Sequence, residues 1–125
     1  MQTNPNEIAV LIVDDSQILH ERLSEILSGL DHVGDCFYAK NFVEAQGLLN
    51  EVHADVAILD INLPGQSGIE LLRYIKQHHN RITTIMLSNQ ASAYYKRKCK
   101  SLGADYFVDK SIEFEQISII IRSFS

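Results

Sequence analysis

The chain has 125 residues, 46% of them hydrophobic and 22% charged, and a net charge of −5. This length suits one compact domain that buries a core unaided, and the acidic balance disfavours a domain that itself binds nucleic-acid phosphates. No apolar run approaches the ~18 residues of a membrane span, residues 1–7 lack a signal-peptide pattern, and Cys36 and Cys99 lack metal-type spacing. We therefore expect a cytoplasmic protein whose two cysteines are small buried residues.

The first half of the chain alternates apolar runs with amphipathic stretches. Ile8–Val13 is almost wholly apolar and β-branched, which predicts a strand buried on both faces. A helical stripe that begins at Leu19 follows, with Ser16 as its predicted N-cap. A weaker run, Cys36–Tyr38, precedes a second stripe whose predicted cap is Asn41. The two stripes consist of Leu19, Leu23, Ile26, Leu27 and Leu30, and of Phe42, Ala45, Leu49 and Val52.

The second half continues the same alternation. Strands are predicted at Val56–Leu59, Ile82–Leu87 and, more weakly, Tyr106–Val108. The fourth helix is expected to stop at Gly103, and Ser111 is the predicted cap of the fifth. The apolar stripes of helices three to five contain Leu72 and Ile75, then Tyr95, Cys99 and Leu102, and finally Phe114, Ile117, Ile120, Ile121 and Phe124.

This order predicts an α/β fold with five β-α units. Parallel strands need crossover connections, so such a sheet is covered by helices on both faces. The natural doubly wound solution for five units is the flavodoxin-like strand order 2-1-3-4-5. We expect one domain over residues 8–125, preceded by a polar extension at residues 1–7.

Polar side chains follow the predicted strands at one edge of the sheet. Asp14 and Asp15 follow strand 1, Asp60 follows strand 3, Ser88 ends strand 4 and Lys110 lies just after strand 5. Ligands of doubly wound sheets bind beyond these carboxyl ends. Three converging carboxylates repel one another, and Mg²⁺ prefers such oxygen ligands. An aspartate can itself be the nucleophile and form an aspartyl phosphate. The alternative is a solvated acidic edge, since each residue alone is commonplace.

Four stretches resemble the receiver domain of bacterial two-component response regulators. They are Val-Asp-Asp-Ser at 13–16, Leu-Asp-Ile-Asn-Leu-Pro-Gly at 59–65 with Gly68, Met-Leu-Ser at 86–88, and Gly-Ala-Asp-Tyr-Phe-Val-Asp-Lys-Ser at 103–111. The resemblance covers nearly the whole chain, from Ile8 to Phe124. It implies a CheY-like signalling switch that catalyses only its own phosphorylation and dephosphorylation.

The resemblance also implies roles for individual residues. Asp60 matches the phosphoacceptor, and Lys110 matches the lysine that contacts the phosphoryl group. Mg²⁺ would be held by Asp15, Asp60 and the backbone carbonyl of Asn62, with Asp14 assisting through water. The phosphoryl donor would be a histidine kinase or a phosphotransfer protein.

The implied switch combines Ser88, whose hydroxyl moves toward the phosphoryl group, with Phe107, an aromatic that changes rotamer. Output in this family commonly uses helix 4, strand 5 and helix 5, toward a downstream protein, a missing output domain or a second copy on activation. One departure is Ser111, where the family usually has a cis proline; a non-proline cis bond costs about 2.5–4 kcal/mol, so a trans bond or a locally strained loop is expected. Asn62 and Gln90 lie at positions that resemble those tuning dephosphorylation.

Other functions remain open at this stage. A haloacid-dehalogenase-like phosphatase would need Asp-x-Asp-x-Thr after strand 1, and a flavodoxin-like cofactor domain would need a glycine- and hydroxyl-rich loop there; both patterns are absent. A pseudo-receiver that no longer takes phosphate would be expected to lose a key acid or the lysine, and all are present.

The basic segment Lys96–Lys100 predicts either a solvated helix face or part of a partner surface.

Overall fold

Five strands and five helices alternate along the part of the chain that the computed structural model describes, residues 7–89, 93–111 and 114–124. Every predicted strand is present, and each differs from its predicted bounds by three residues or fewer at either end. In chain order the elements are β1 (Ile8–Val13), α1 (Gln17–Ser28), β2 (Val33–Ala39), α2 (Phe42–Glu51), β3 (Val56–Asp60), α3 (Gly68–His78), β4 (Thr83–Ser88), α4 (Ala93–Ser101), β5 (Tyr106–Asp109) and α5 (Gln116–Arg122).

The strands form one parallel sheet in the order β2-β1-β3-β4-β5, which confirms the predicted fold class. The register aligns the carboxyl ends of the inner strands: Val13 pairs with Leu59, and Asp60 pairs with Leu87. At the β5 edge, Ser88 pairs with Asp109. The residues that follow these strands therefore meet at one edge of the sheet.

Two apolar layers cover the sheet, one on each face. Alternate residues of β1 divide between them, because successive side chains of a strand point to opposite faces. Val10 and Ile12 pack with the buried residues of α1 and α5. Leu11 and Val13 pack with those of α2, α3 and α4. Burial on both faces explains the continuous apolar run of β1, since full burial of each large aliphatic side chain contributes about 1.5–3 kcal/mol.

Side-chain caps begin the first three helices. Ser16 Oγ accepts a hydrogen bond from the Leu19 amide at 3.3 Å, and Asn41 Oδ1 accepts one from the Glu44 amide at 2.9 Å. Both caps confirm the predictions, and each contributes about 1 kcal/mol. Ser67, which caps α3 in the same way, was not predicted.

The predicted cap of the fifth helix is wrong. Helix α5 begins at Gln116, after a Glu115 that makes no side-chain cap bond. Ser111 instead closes a local turn, since its backbone amide and its hydroxyl both donate to Asp109 Oδ1, at 2.9 and 2.6 Å. Phe114, predicted on the helical stripe, lies before the helix yet is buried in the layer below α1 and α5. The Lys110–Ser111 peptide bond is trans, as one of the two expected geometries requires.

Three further expectations concern the cysteines, membrane-spanning helices and the N-terminal extension. Both cysteines are free; Cys99 is buried as expected, whereas Cys36 is only partly buried on the edge strand β2. No helix within the described ranges has the length and apolar character needed to cross a membrane. The polar extension at residues 1–7 falls almost wholly outside the described residues.

Candidate functional site at the carboxyl edge of the sheet

A partly buried lysine joins two buried carboxylates at the ends of β1 and β3. Lys110 Nζ lies 2.9 Å from Asp14 Oδ2 and 3.0 Å from Asp60 Oδ2. Asp14 is 1% exposed and Asp60 is 4% exposed. The backbones of Asp14 and Lys110 are also held in place. The Asp14 amide donates to the Ala39 carbonyl at 3.0 Å, and the Lys110 amide donates to the Ser88 carbonyl at 2.9 Å. The strands thus fix all three charged groups in place.

Local turns orient the two buried carboxylates further. The Ser16 amide donates to Asp14 Oδ1 at 2.7 Å, and the Asn62 amide donates to Asp60 Oδ1 at 3.1 Å. In each case the carboxylate accepts from the amide two residues later, a turn that aspartate favours. Each carboxylate therefore uses one oxygen for its own loop and the other for Lys110.

A third carboxylate completes an acidic cluster that can hold a metal ion. Asp15 is exposed beside Asp14, and one oxygen from each of Asp14, Asp15 and Asp60 lies within 4.8 Å of the others. Asn62 is exposed next to the cluster, and these residues line an open pocket of about 410 Å³. Carboxylate and carbonyl oxygens in a wet pocket are the donor set that Mg²⁺ prefers, so the residues present fit that ion.

The negative charge of the Asp60 carboxylate is only partly stabilised by the groups around it. Burial raises its pKa from 3.8 to about 6, and the charge of Asp14 adds to the rise, although the hydrogen bond and charge of Lys110 and the Asn62 amide oppose it. For Lys110, burial alone would lower the pKa, but the hydrogen bonds that it donates to Asp14 and Asp60 and the charges of these carboxylates outweigh burial and raise the pKa. The lysine is therefore cationic, and a further cation beside Asp60 would stabilise its charged form.

The loop after Asp60 depends on two glycines. Gly65 has φ +79°, a left-handed conformation that glycine adopts without strain. A Cβ at Gly68 would lie 1.9 Å from the backbone oxygen of Asp60, and the Gly68 amide donates to the Ile61 carbonyl at 2.8 Å. The close chain approach predicted for Gly68 is thus present, and α3 packs its first residue directly against the site.

The two residues expected to form a switch lie at different depths. Ser88 is 2% exposed and ends β4 beside the site. Phe107 is half-buried in β5, pairs with Met86 rather than with Ser88, and packs partly against the layer of α2, α3 and α4. Gln90 lies outside the described residues.

Sequence reasoning missed two contacts at this edge. Arg22 of α1 stacks over the Phe114 ring at 4.2 Å and lines the same pocket as Asp60. Asp109 is buried and holds Ser111. The sequence carried a signal only for Asp109, which directly precedes Lys110. The Arg22–Phe114 pair depends on how α1 and the segment before α5 pack together.

Comparison with known proteins identifies the family. The response regulator receiver domain matches residues 10–122. A protein-glutamate methylesterase/protein-glutamine glutaminase of Treponema pallidum is 35% identical over 86% of this chain and 27% of its own length. The transcriptional regulatory protein MalR of Bacillus subtilis is 30% identical over 94% of this chain and 50% of its own. The chain thus spans half or less of these curated relatives.

A solved structure of matching size agrees with both sequence relatives. The response regulator domain of Thermotoga maritima CheB superposes with a TM-score of 0.81 at 27% identity, covering 94% of this chain and 93% of that one. The names of the two relatives differ, a methylesterase/glutaminase and a transcriptional regulator, whereas both match this chain over most of its length. The chain belongs to the response regulator receiver domain family of two-component signalling systems.

Proposed function

We propose that Asp60 accepts a phosphoryl group from a phosphohistidine of a histidine kinase or phosphotransfer protein. An oxygen of the Asp60 carboxylate attacks phosphorus, a P–O bond forms, and the P–N bond breaks. The imidazole leaves with the bonding pair and takes a proton from solvent. The observation that supports this is the convergence of Asp60 with Asp14, Asp15 and the Lys110 ammonium in one pocket.

Mg²⁺ is the proposed cofactor. Asp15, Asp60 and the backbone carbonyl of Asn62 would hold it, with Asp14 assisting through water. When bound, the ion supplies positive charge against the phosphoryl oxygens and the attacking carboxylate. Lys110 contributes a second, fixed positive charge from the inner side of the pocket, because it is held between Asp14 and Asp60.

The proposed output is a change in protein contacts rather than turnover of a substrate. Ser88 and Phe107 would respond to the phosphoryl group, and α4, β5 and α5 would carry the response to a downstream partner or an output domain. A homodimer on activation and a cytoplasmic location stay predictions, as does self-catalysed phosphorylation and dephosphorylation.

Intact-mass measurement after incubation with acetyl phosphate and Mg²⁺ tests the proposal. We expect the mass of one added phosphoryl group, absent in Asp60→Asn and absent in EDTA. Asp105→Asn, a change of the same size at the opposite end of the sheet, is the matched control and should label like the wild type. Labelling that persists in Asp60→Asn would overturn the assignment of the phosphoacceptor.

The same samples separate the alternatives. Absence of labelling together with absence of Mg²⁺ binding would identify a pseudo-receiver that acts as a constitutive binding module. Steady release of inorganic phosphate from p-nitrophenyl phosphate, lost in Asp60→Asn, would instead identify a phosphatase.

A further inference from the structure

A hydrogen-bonded turn encloses the backbone of Lys110. Asp109 Oδ1 accepts from the Ser111 amide at 2.9 Å and from the Ser111 hydroxyl at 2.6 Å. These two residues lie on either side of Lys110 in the chain, so the ring that the bonds close contains the lysine backbone. The short distance between hydroxyl and carboxylate is that of a charge-assisted hydrogen bond. We call this arrangement the Asp109–Ser111 turn.

The turn is anchored to the sheet. Asp109 is the last residue of β5, is 7% exposed and pairs in register with Ser88 of β4. The Lys110 amide donates to the Ser88 carbonyl at 2.9 Å. The strand pairing and the turn together fix the backbone on both sides of Lys110. The direction in which the lysine side chain leaves the chain is therefore set before any ligand arrives.

The start of helix α5 does not account for the turn. The helix begins only at Gln116, and Ser111 uses its amide and its hydroxyl on Asp109 instead of capping a helix. A proline, which is usual after this lysine in the family, has neither an amide proton nor a hydroxyl to donate. The turn thus depends on the residue by which this chain departs from the family pattern.

The far end of the lysine side chain meets the proposed phosphoacceptor. Lys110 Nζ lies 2.9 Å from Asp14 Oδ2 and 3.0 Å from Asp60 Oδ2. The ammonium group ends a flexible stem of four carbons, so a fixed backbone restricts the positions that this group can reach. Positioning matters in such a site, because a misplacement of about 1 Å can lower a rate by about 100-fold.

We propose that Asp109 and Ser111 are positioning residues for phosphoryl transfer, which act by holding Lys110 between Asp14 and Asp60. The inference rests on the proposed function, because it assigns the turn a role in that reaction. The turn acts on the reaction only through the lysine. Its loss should therefore slow phosphorylation when Lys110 is present and have little effect when Lys110 is absent.

Phosphorylation kinetics test this dependence. The rate constant for labelling by acetyl phosphate with Mg²⁺ is measured by intact mass. Asp109→Ala should lower it about tenfold, Ser111→Ala should lower it less because the amide bond remains, and Ser111→Thr, which keeps both donors, should restore it. In a Lys110→Ala background, Asp109→Ala should change the rate less than about twofold, because residues that act as one unit are not additive.

A second readout needs neither metal nor phosphoryl donor. Nitrogen–proton correlation spectra of lysine side chains detect ammonium groups that are held in place, and comparison with Lys110→Ala identifies the Lys110 signal. We expect this signal in the metal-free wild type and in Ser111→Thr. It should broaden or shift in Asp109→Ala and in Ser111→Ala.

Asp105→Ala is the matched control. Asp105 Oδ2 also accepts from the amide and the hydroxyl of one residue, Thr84, at 2.8 and 3.2 Å, but it precedes β5 and lies at the opposite edge of the sheet. We expect this variant to lose stability yet keep the wild-type labelling rate and Lys110 signal. Urea unfolding shows that each variant is folded, and Ser111→Ala decides the question if Asp109→Ala does not fold.

Three outcomes would overturn the inference. These are an unchanged Lys110 signal in folded Asp109→Ala or Ser111→Ala, an equal loss of rate in Asp105→Ala and Asp109→Ala, and an equal effect of Asp109→Ala with and without Lys110. If the wild type never takes a phosphoryl group, the proposed function fails while the lysine signal still tests the turn. If Asp109→Ala is labelled as fast as the wild type, only the positioning role is refuted.

Discussion

Replacing Asp60 by asparagine should stabilise the metal-free protein at neutral pH. The carboxyl group is 4% exposed, and burial, aided by the charge of Asp14, raises its pKa from 3.8 to about 6. Lys110 and the Asn62 amide only partly offset that rise. Asparagine retains the shape and keeps one acceptor oxygen, which can serve only one of these two donors, but it removes the buried charge.

The size of the stability change and its direction with pH follow from proton linkage. A rise from 3.8 to about 6 corresponds to about 3 kcal/mol at ~1.36 kcal/mol per pKa unit. The folded protein holds this proton more tightly than the unfolded chain does, so the free energy of unfolding falls as pH rises through that window and is level above it. The contribution of Asp60 is fully present below about pH 4 and lost above about pH 6. Asp60→Asn lacks this dependence.

Urea unfolding in EDTA measures the effect. Wild type, Asp60→Asn and the exposed control Asp31→Asn would be unfolded at about pH 4 and about pH 7.5, on either side of the window. We expect the advantage of Asp60→Asn over wild type to grow by about 3 kcal/mol between the two pH values, and the control to follow wild type. If wild type and Asp60→Asn change in parallel, or if wild type gains on the variant as pH rises, the reasoning about the buried carboxylate is refuted.

Three further predictions concern the loop, the sheet and the metal. Gly68→Ala should lower the free energy of unfolding by about 1–3 kcal/mol or more, because its Cβ would lie 1.9 Å from the Asp60 backbone oxygen; Gly47→Ala, whose Cβ meets nothing within 4 Å, should be neutral or stabilising in the same urea titration. Asp105→Ala should cost about 1–3 kcal/mol, since Asp105 Oδ2 accepts from the Thr84 amide at 2.8 Å and from its hydroxyl at 3.2 Å; equal stability of this variant and wild type would contradict that. Millimolar Mg²⁺ should raise the thermal midpoint of wild type more than that of Asp60→Asn, and an equal rise would place the ion elsewhere.

Much of the fold could be predicted from the sequence, because residues that are buried in the core must be apolar. β1 was predicted with its observed bounds, since a strand covered on both faces must be apolar throughout. The carboxyl edge was also readable, because parallel strands bring their ends together wherever the strands are correctly predicted. That rule places Asp14, Asp60 and Lys110 in contact without requiring any knowledge of loop structure.

The features that the sequence did not predict depend on competition between local hydrogen bonds and on tertiary packing. Ser111 has the chemistry of a helix cap, yet its amide and hydroxyl both bind Asp109. The buried carboxylate of Asp109 thus takes both donors of Ser111, and α5 begins at Gln116 without a side-chain cap. Asp105 bonds to Thr84 across the β4–β5 register. No single-chain pattern reveals such a pair before the register is known.

The charges of the site argue for a divalent ion and for a response to phosphorylation. Ionised Asp14, Asp15 and Asp60 together with Lys110 sum to −2, which one Mg²⁺ would balance; Arg22, over the Phe114 ring, is a further cation at the same pocket. Transfer of a phosphoryl group to Asp60 replaces a single charge by about −1.5 to −2, so these groups become more negative by about half a charge to one charge. Because Lys110 is already shared between two carboxylates at 2.9 and 3.0 Å, the added charge draws donors from elsewhere. Ser88 is buried at the end of the neighbouring strand, and its hydroxyl is the donor that the proposed switch would bring toward the phosphoryl group.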